Sequence, residues 1–381
     1  MKQILYICEY AGFVGGIEQY ALDTAKLLRK NGYEVSLFYE KKAKDFEPFC
    51  EAFSSCTQKL ENLSDFELVV IHKCKNLKIL RTLVKNCGSH LAAVVHDHDL
   101  YCPRKYFYRP FHRRNCSLPY SYLRCGVCSM TISPRRYSKG IFHELFYKFW
   151  LFPKLLKWYR KIPTIIVLSE FMRKNLLRNQ FSSQQVHVIH PFISVVDDIP
   201  KVSEKHFKKG AVPTIGFVGQ LIRGKGCDLF LRMLQKMKMP YRAVIAGTGN
   251  DEVLLHHIAE EENLPVKFCG FVKDVQSFYS QCDFMVLPFR WQEPFGLVGI
   301  EAAANHLPVV AYDVGGISEW LKLDELLVPY LNEEKLLKIV GKLIKSPALC
   351  VNYGEKNASV TQEHFSSAEF IKKMDQLLLN L

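Results

Sequence analysis

Two glutamates stand eight positions apart in the run Glu293-Pro-Phe-Gly-Leu-Val-Gly-Ile-Glu301. A Pro-Phe-Gly turn follows the first, and an apolar helix start surrounds the second. Upstream, Asp283-Phe-Met-Val-Leu-Pro288 reads as a buried strand. Strand, turn and helix start form a geometry in which backbone N–H groups and a helix dipole receive a phosphate. Carboxylates would repel a ligand that is phosphate alone. They suit a ligand that also carries hydroxyls, because an ionised carboxylate only accepts hydrogen bonds. A sugar nucleotide meets both conditions. A glycosidase also uses two carboxylates, placed on either side of a glycosidic bond, but a Glu301 inside a helix packed on a sheet does not easily take that position. The bland alternative leaves Glu301 solvating a helix and Glu293 on a surface loop.

Other residues carry chemistry of their own. After Thr214–Val218 comes Gly219-Gln-Leu-Ile-Arg-Gly-Lys-Gly226. Its glycines let backbone approach a ligand closely, and Arg223 and Lys225 can neutralise phosphate. The loop lacks the Gly-Lys-Ser/Thr ending of Walker A. Ile245-Ala-Gly-Thr-Gly249 is a second strand followed by a glycine turn. In the first half, His96-Asp97-His98-Asp99 follows an apolar run. Alternate side chains of an extended stretch point to opposite sides, so these four do not ligate one ion without a sharp turn. A catalytic or positioning role for His96 is the preferred reading, and His98 reads equally well as structural. Cys102, Cys116, Cys125 and Cys128 form a further group. Cys125-Gly-Val-Cys128 has the spacing of a zinc knuckle, whereas Cys102 and Cys116 do not. Structural zinc, free thiols and redox use all stay open.

The elements that must position these residues alternate between strand and helix. Gln3–Ile7, Glu34–Tyr39, Leu68–Ile71, Leu91–Val95 and Thr164–Leu168 are apolar strand-like runs, and Ile17–Arg29 has helical periodicity. Ser194–Pro213 reads as a linker. Thr214–Val218, Ala243–Ala246, Val266–Phe268, Phe284–Leu287 and Val309–Ala311 are the strands of a second series. Its helices are Asp228–Met237, Glu252–Glu262 and Val275–Gln281, and Ser367–Leu379 is a final amphipathic helix. The expected fold is α/β, with two doubly wound, Rossmann-like domains facing a cleft. The first spans residues 1–195 with a basic aromatic insertion at 104–161, and the second spans 196–365. A terminal helix at 366–381 is expected to cross back to the first.

With 48% hydrophobic residues the chain can bury real cores. Neither a secretory signal nor a convincing membrane span is read, and thirteen cysteines without framework spacing point to a reducing compartment. The net charge is +13, and residues 104–161 carry all of it; the remainder is neutral. Aromatics are interleaved with those charges, which suits an anionic membrane surface. Nucleic acid is disfavoured because no recognition motif accompanies the charge.

Taken in order, the second-half motifs resemble the retaining family-4 glycosyltransferases of GT-B fold. They are Gly216-Phe-Val-Gly219 with Lys225-Gly226, Ala246-Gly-Thr-Gly249, Phe268-Cys-Gly-Phe271, Cys282-Asp283, Glu293-Pro-Phe-Gly296, Glu301-Ala302 and Val314-Gly-Gly-Ile317. The first half matches less densely, through Gly15-Gly16-Ile-Glu-Gln19, Val95-His-Asp97 and Val167-Leu-Ser-Glu170. The resemblance implies that Lys225 neutralises the donor diphosphate, with Gly219 in the same loop. Glu293 would accept from sugar hydroxyls, Phe295, Gly296 and Leu297 would offer backbone N–H groups, and Glu301 would bind the ribose. Gly15 and Gly16 would lie near the diphosphate and His96 near the reacting sugar. Catalysis is thus expected from His96, Lys225 and Glu293. Members usually have arginine where Gln220 stands, and Arg223 is the candidate replacement. The implied reaction is metal-independent transfer of a hexosyl group from a nucleotide-diphosphate sugar to a glycan or lipid-linked acceptor, without a further cofactor. It would take place in the cytoplasm or at the inner membrane face. The alternatives are a GT-B sugar-nucleotide epimerase or a non-catalytic sugar-nucleotide-binding scaffold.

Overall fold

The computed structural model describes residues 2–109, 112–130, 147–193 and 212–379. Most of the expected linker, and part of the basic insertion including Phe142 and Phe146, lie outside these residues. The chain divides into two units, residues 1–190 with 370–381, and residues 191–369.

In the first unit, β1 (Lys2–Ala11), β2 (Tyr33–Lys42), β3 (Ser55–Thr57), β4 (Leu68–Ile71) and β5 (Leu91–Val95) belong to one sheet. A hairpin of β6 (Tyr108–Arg109) and β7 (Arg114–Asn115) interrupts the series before β8 (Thr164–Val167) and β9 (Val186–Val188). The sheet order is β3-β2-β1-β4-β5-β8-β9, and all its pairings are parallel. Its central strands are apolar along their whole length because helices cover both faces; every residue of β4, β5 and β8 is buried. β1 runs to Ala11, past the sequence-based expectation, because its pairing with β2 continues as far as Ala11 opposite Lys42.

The second unit repeats this logic with β10 (Thr214–Val218), β11 (Arg242–Ala246), β12 (Val266–Gly270), β13 (Phe284–Leu287), β14 (Val309–Tyr312) and β15 (Leu327–Val328). Their order is β12-β11-β10-β13-β14-β15, again parallel. Strand order reverses between β1 and β4 in the first sheet and between β10 and β13 in the second. Beyond the carboxyl ends of strands at such a switch point, loops diverge and leave a crevice. The loops that leave β10 and β13 are Gly219–Gly226 and Pro288–Gly296, and those that leave β1 and β4 carry Gly15-Gly16 and His72.

Two long helices, Glu333–Lys345 and Pro347–His364, went unassigned in the sequence-based reading. The second packs against the Leu297–Ala304 helix, and its buried Asn357 donates to the Leu307 carbonyl at 3.2 Å. This contact backs the helix that carries Glu301. The Ser367–Leu379 helix has most of its length in the first unit, where the Tyr33 hydroxyl donates to the Asp375 carboxylate.

The loops that leave β10 and β11 meet backbone to backbone. Gly219 N–H donates to Ala246 O at 3.0 Å, and Leu221 N–H to Thr248 O at 2.9 Å. Gly247 has φ +136°, and a Cβ there would stand 1.9 Å from Gly219 O. Only glycine tolerates both conditions. Gly247→Ala should therefore destabilise the protein by about 2 kcal/mol or more, read as a lowered thermal unfolding midpoint. An unchanged midpoint would show that the two loops do not depend on this approach.

Candidate active site

In the second unit the site is built around a single ion pair. Lys225 Nζ lies 2.6 Å from Glu293 Oε1, and the same ammonium stands 4.8 Å from the centre of the Phe289 ring. The Glu293 backbone is clamped separately: Gly316 N–H donates to its carbonyl at 2.9 Å, and it bridges Gly315 as a one-residue parallel ladder. The Glu293 side chain is 11% exposed, whereas Lys225 is 26% exposed.

The turn after Glu293 is held from beneath. Gly296, in the left-handed conformation, caps the Leu297–Ala304 helix. Trp320 Nε1 donates to Phe295 O at 2.8 Å, and the Phe295 ring itself is buried against Phe365. Phe295 therefore brings backbone to the site while its side chain anchors the turn. Glu301, at the fifth position of this helix, accepts from the Tyr279 hydroxyl at 3.1 Å. Burial, and then the Glu301 carboxylate, hold the Tyr279 hydroxyl well above the usual phenol range, so Tyr279 stays a donor.

Arg290 was not anticipated. Its guanidinium grips Asp228 with two bonds of 2.9 and 2.6 Å and also donates to the Arg223 carbonyl. Its backbone N–H and that of Trp291 both donate to Gly224 O, at 2.9 and 3.0 Å. The Trp291 ring fills the space where a Gly224 side chain would be. These bonds set the Arg223–Lys225 turn against the loop bearing Glu293. Arg223 and Gln220 are both exposed, whereas Lys225 is held against Glu293.

In the first unit, the expected extended course of His96–Asp99 gives way to a turn. Asp97 accepts from the Asp99 N–H at 2.8 Å, and a short 3₁₀ segment follows at His98–Leu100. This side-chain-to-backbone bond is what bends the chain. It brings Asp97 and Asp99 to the same side, where Lys73 pairs with them at 3.9 and 3.3 Å. The ammonium stands where a divalent ion between two such carboxylates would sit. Burial and the neighbouring Asp99 push Asp97 up. Burial pushes Asp99 the same way, but its hydrogen bond with Asp97 and the Lys73 cation outweigh this and hold it below the usual carboxylate range. His98 turns inward to Tyr101, its Nδ1 2.5 Å from the hydroxyl, and is buried.

His96 lines a cavity of about 40 Å³ with Lys73, Lys75, Asp97, Phe152 and Tyr159. Its Nε2 lies 3.2 Å from Nδ1 of His72, and its ring contacts Tyr20 edge-on. Only strand register reveals His72: it follows β4, and β4 pairs with the strand that precedes His96. Gly15 and Gly16 are exposed at the start of the Gly16–Lys30 helix. Glu18, buried in the first turn, reaches back to the backbone N–H of Gly15 and to its own. That is one half of a capping box, and it places a carboxylate at this helix start.

Comparisons with known proteins cover nearly the whole chain. The family model described as Glycosyltransferase Family 4 matches residues 14–196, and that of Glycosyl transferases group 1 matches residues 198–360. The chain is 25% identical to an uncharacterised 42.6 kDa protein of the cps region of Klebsiella pneumoniae, over 75% of this chain and 64% of that one. It is 28% identical to the lipopolysaccharide core biosynthesis mannosyltransferase LpcC of Rhizobium leguminosarum, over 40% of this chain and 46% of the relative. The chain thus spans about half to two thirds of these curated relatives. Among solved structures, that of Anabaena HepE in complex with UDP aligns over 100% of both chains, with a TM-score of 0.71 and 17% identity. This likeness shows the GT-B type of fold for the described sheets.

The paired histidines make a stability prediction. Burial, and then the Lys73 cation, hold His96 down at about 3, and burial and His96 hold His72 well below its ordinary range. From about pH 6.5 downward the unfolded chain therefore binds protons that the folded chain refuses. Their contribution is fully present above that pH and is lost as the pH falls toward the folded value. The unfolding midpoint of His96→Gln should fall less between pH 7 and pH 5 than that of the native protein. Equal slopes would show that His96 is charged in the fold.

Proposed function

The chain belongs to the family-4 glycosyltransferases, and we propose that it transfers a hexosyl group, with retained configuration, from a nucleotide-diphosphate sugar. The acceptor is a hydroxyl of a cell-surface glycan or glycolipid precursor. The observation that carries this reading is the Lys225–Glu293 contact at 2.6 Å beside the start of the Leu297–Ala304 helix. A cation and a hydrogen-bond-accepting carboxylate in contact, with helix-start amides two to four residues along the chain, are the kind of groups that a diphosphate joined to a sugar requires.

Each residue then has a task. As the glycosidic bond breaks, negative charge grows on the leaving diphosphate. Lys225 turns from Glu293 toward that charge, Arg223 adds a second cation, and the amides of Phe295, Gly296 and Leu297 supply oriented donors. These groups do the work that a divalent ion would do, so the reaction is proposed to need none. Glu293 accepts from the sugar hydroxyls and Glu301 from the ribose, with Tyr279 fixing the Glu301 carboxylate. Gly219 lets backbone approach the phosphates. Gly15 and Gly16 contribute their helix start only if Glu18 yields it. His96, neutral and paired with His72, is proposed as the residue of the first unit that serves the transfer. A uridine diphosphate donor is the first to test, because the structurally similar Anabaena protein holds UDP.

The acceptor is proposed to lie at an anionic membrane surface on the cytoplasmic side. The Tyr122–Met130 helix packs on the stretch Tyr147–Leu151. Leu123, Val127 and Trp150 are 79%, 58% and 61% exposed there, and Lys154 stands over the Trp150 ring. Exposed apolar side chains among cations suit a lipid headgroup layer. No helix among the described residues is long and apolar enough to cross a membrane.

Glu301→Ala should raise the donor dissociation constant about 10- to 100-fold, equivalent to about 1.5–3 kcal/mol for bonds to a charged group. Lys225→Ala should lower kcat about 10²- to 10³-fold. The native enzyme should turn over without added magnesium or manganese and yield the donor's anomeric configuration, read by NMR of the product. Near-native kinetics in both variants would overturn the assignment. Conversion of donor without acceptor would instead identify an epimerase, and donor binding without product across a broad acceptor panel a scaffold. Vesicles rich in phosphatidylglycerol should co-sediment the protein and lose it on Leu123→Glu with Trp150→Glu. Equal retention by neutral vesicles, or by the double variant, would remove the membrane surface.

A further inference from the structure

The basic insertion contains a second constellation that the transfer reaction does not use. Cys102, Cys116, Cys125 and Cys128 all border one cavity of about 30 Å³. Its remaining walls are largely apolar, from Tyr101, Pro103, Phe107 and Leu118 among others. A volume of that size admits one small guest, a water or an ion, and excludes a sugar or a nucleotide.

Four cysteines from three separate stretches border this cavity. Cys102 follows the turn at His98–Leu100, Cys116 follows the β6–β7 hairpin, and Cys125 and Cys128 share the Tyr122–Met130 helix. The Cys116 N–H donates to Phe107 O at 2.8 Å and the Ser121 N–H to Cys125 Sγ at 3.4 Å, which fixes the backbone around the cavity. The regular structure they connect is slight: the hairpin strands have two residues each. A metal joined to four thiolates would tie this hairpin to the Tyr122–Met130 helix and to the turn before Cys102.

We propose that these four cysteines form a structural zinc site. The ion takes four sulfurs in tetrahedral geometry, and each thiol passes its proton to solvent as its sulfur is bound. The resulting centre carries net negative charge, which Arg104, Arg109, Arg113, Arg114 and Arg124 of the same stretch offset. Among the described residues no three His, Cys, Asp or Glu side chains already face one point as metal ligands do. The sulfurs border the cavity without converging in it, so ion binding turns the thiols inward. Thiolates repel one another and gather only around a cation. Because Cys102 directly follows the turn bearing Asp97 and Asp99, the ion would tether the loop that shapes the His96 cavity. This site is independent of the donor-binding reading.

The test is elemental analysis of the full-length protein purified without chelator or histidine tag, together with the absorption spectrum after exchange into cobalt. The expected result is close to one zinc per chain, with strong tetrahedral cobalt bands and thiolate-to-cobalt charge transfer. Cys125→Ser and Cys128→Ser should each lose the metal, while Cys269→Ser, from the second unit, should keep it. If the first two variants do not fold, the cobalt spectrum of the native protein still decides. A folded, metal-free native protein would overturn the proposal, whether its four thiols react freely with a thiol reagent or are joined in disulfides. So would zinc that survives Cys125→Ser and Cys128→Ser together.

Discussion

Lys225 and Glu293 come from loops 68 residues apart, and their 2.6 Å contact requires both loops to keep their positions at the carboxyl edge of the sheet. The surrounding structure supplies that constraint by separate means. Arg290 clamps Asp228 and the Arg223–Lys225 turn, Gly315 and Gly316 fix the Glu293 backbone, and Trp320 seats the turn at Phe295. An ion pair with one partner buried stabilises little once desolvation is counted. Its meaning is geometric: the groups that would hold a diphosphate and a sugar are already next to each other, each occupying the other's binding capacity.

The first unit solves a similar problem with different groups. At its switch point the cation is Lys73, shared between Asp97 and Asp99, and the helix start is occupied by Glu18. Its charge is therefore largely neutralised internally, and a neutral histidine pair lines the adjoining cavity. One unit thus displays cations and amides while the other presents balanced charge and neutral imidazoles.

Much of the fold was legible because buried parallel strands must be apolar throughout. Leu68–Ile71, Leu91–Val95 and Phe284–Leu287 announce themselves. The edge strand Ser55–Thr57 did not, since it lies half-exposed and carries no such signature. The candidate residues of the second unit could be proposed from sequence because a loop at a strand end needs glycine and charge close together. Arg290, Tyr279 and His72 were not, because their partners Asp228, Glu301 and His96 are 62, 22 and 24 residues away and only strand register brings them close. The turn at Asp97 has a local cause, an aspartate accepting from the amide two residues on. A reading based on strand alternation passes over such a turn.

The bond between Tyr33 and Asp375 makes the first unit discontinuous in the gene. During synthesis its sheet emerges early, yet the unit is not completed by residues 370–381 until the whole second unit has left the ribosome. The order of translation is therefore not the order of completion. The nascent first unit must wait, with the surface destined for Phe370, Met374 and Leu377 uncovered, while residues 191–369 fold.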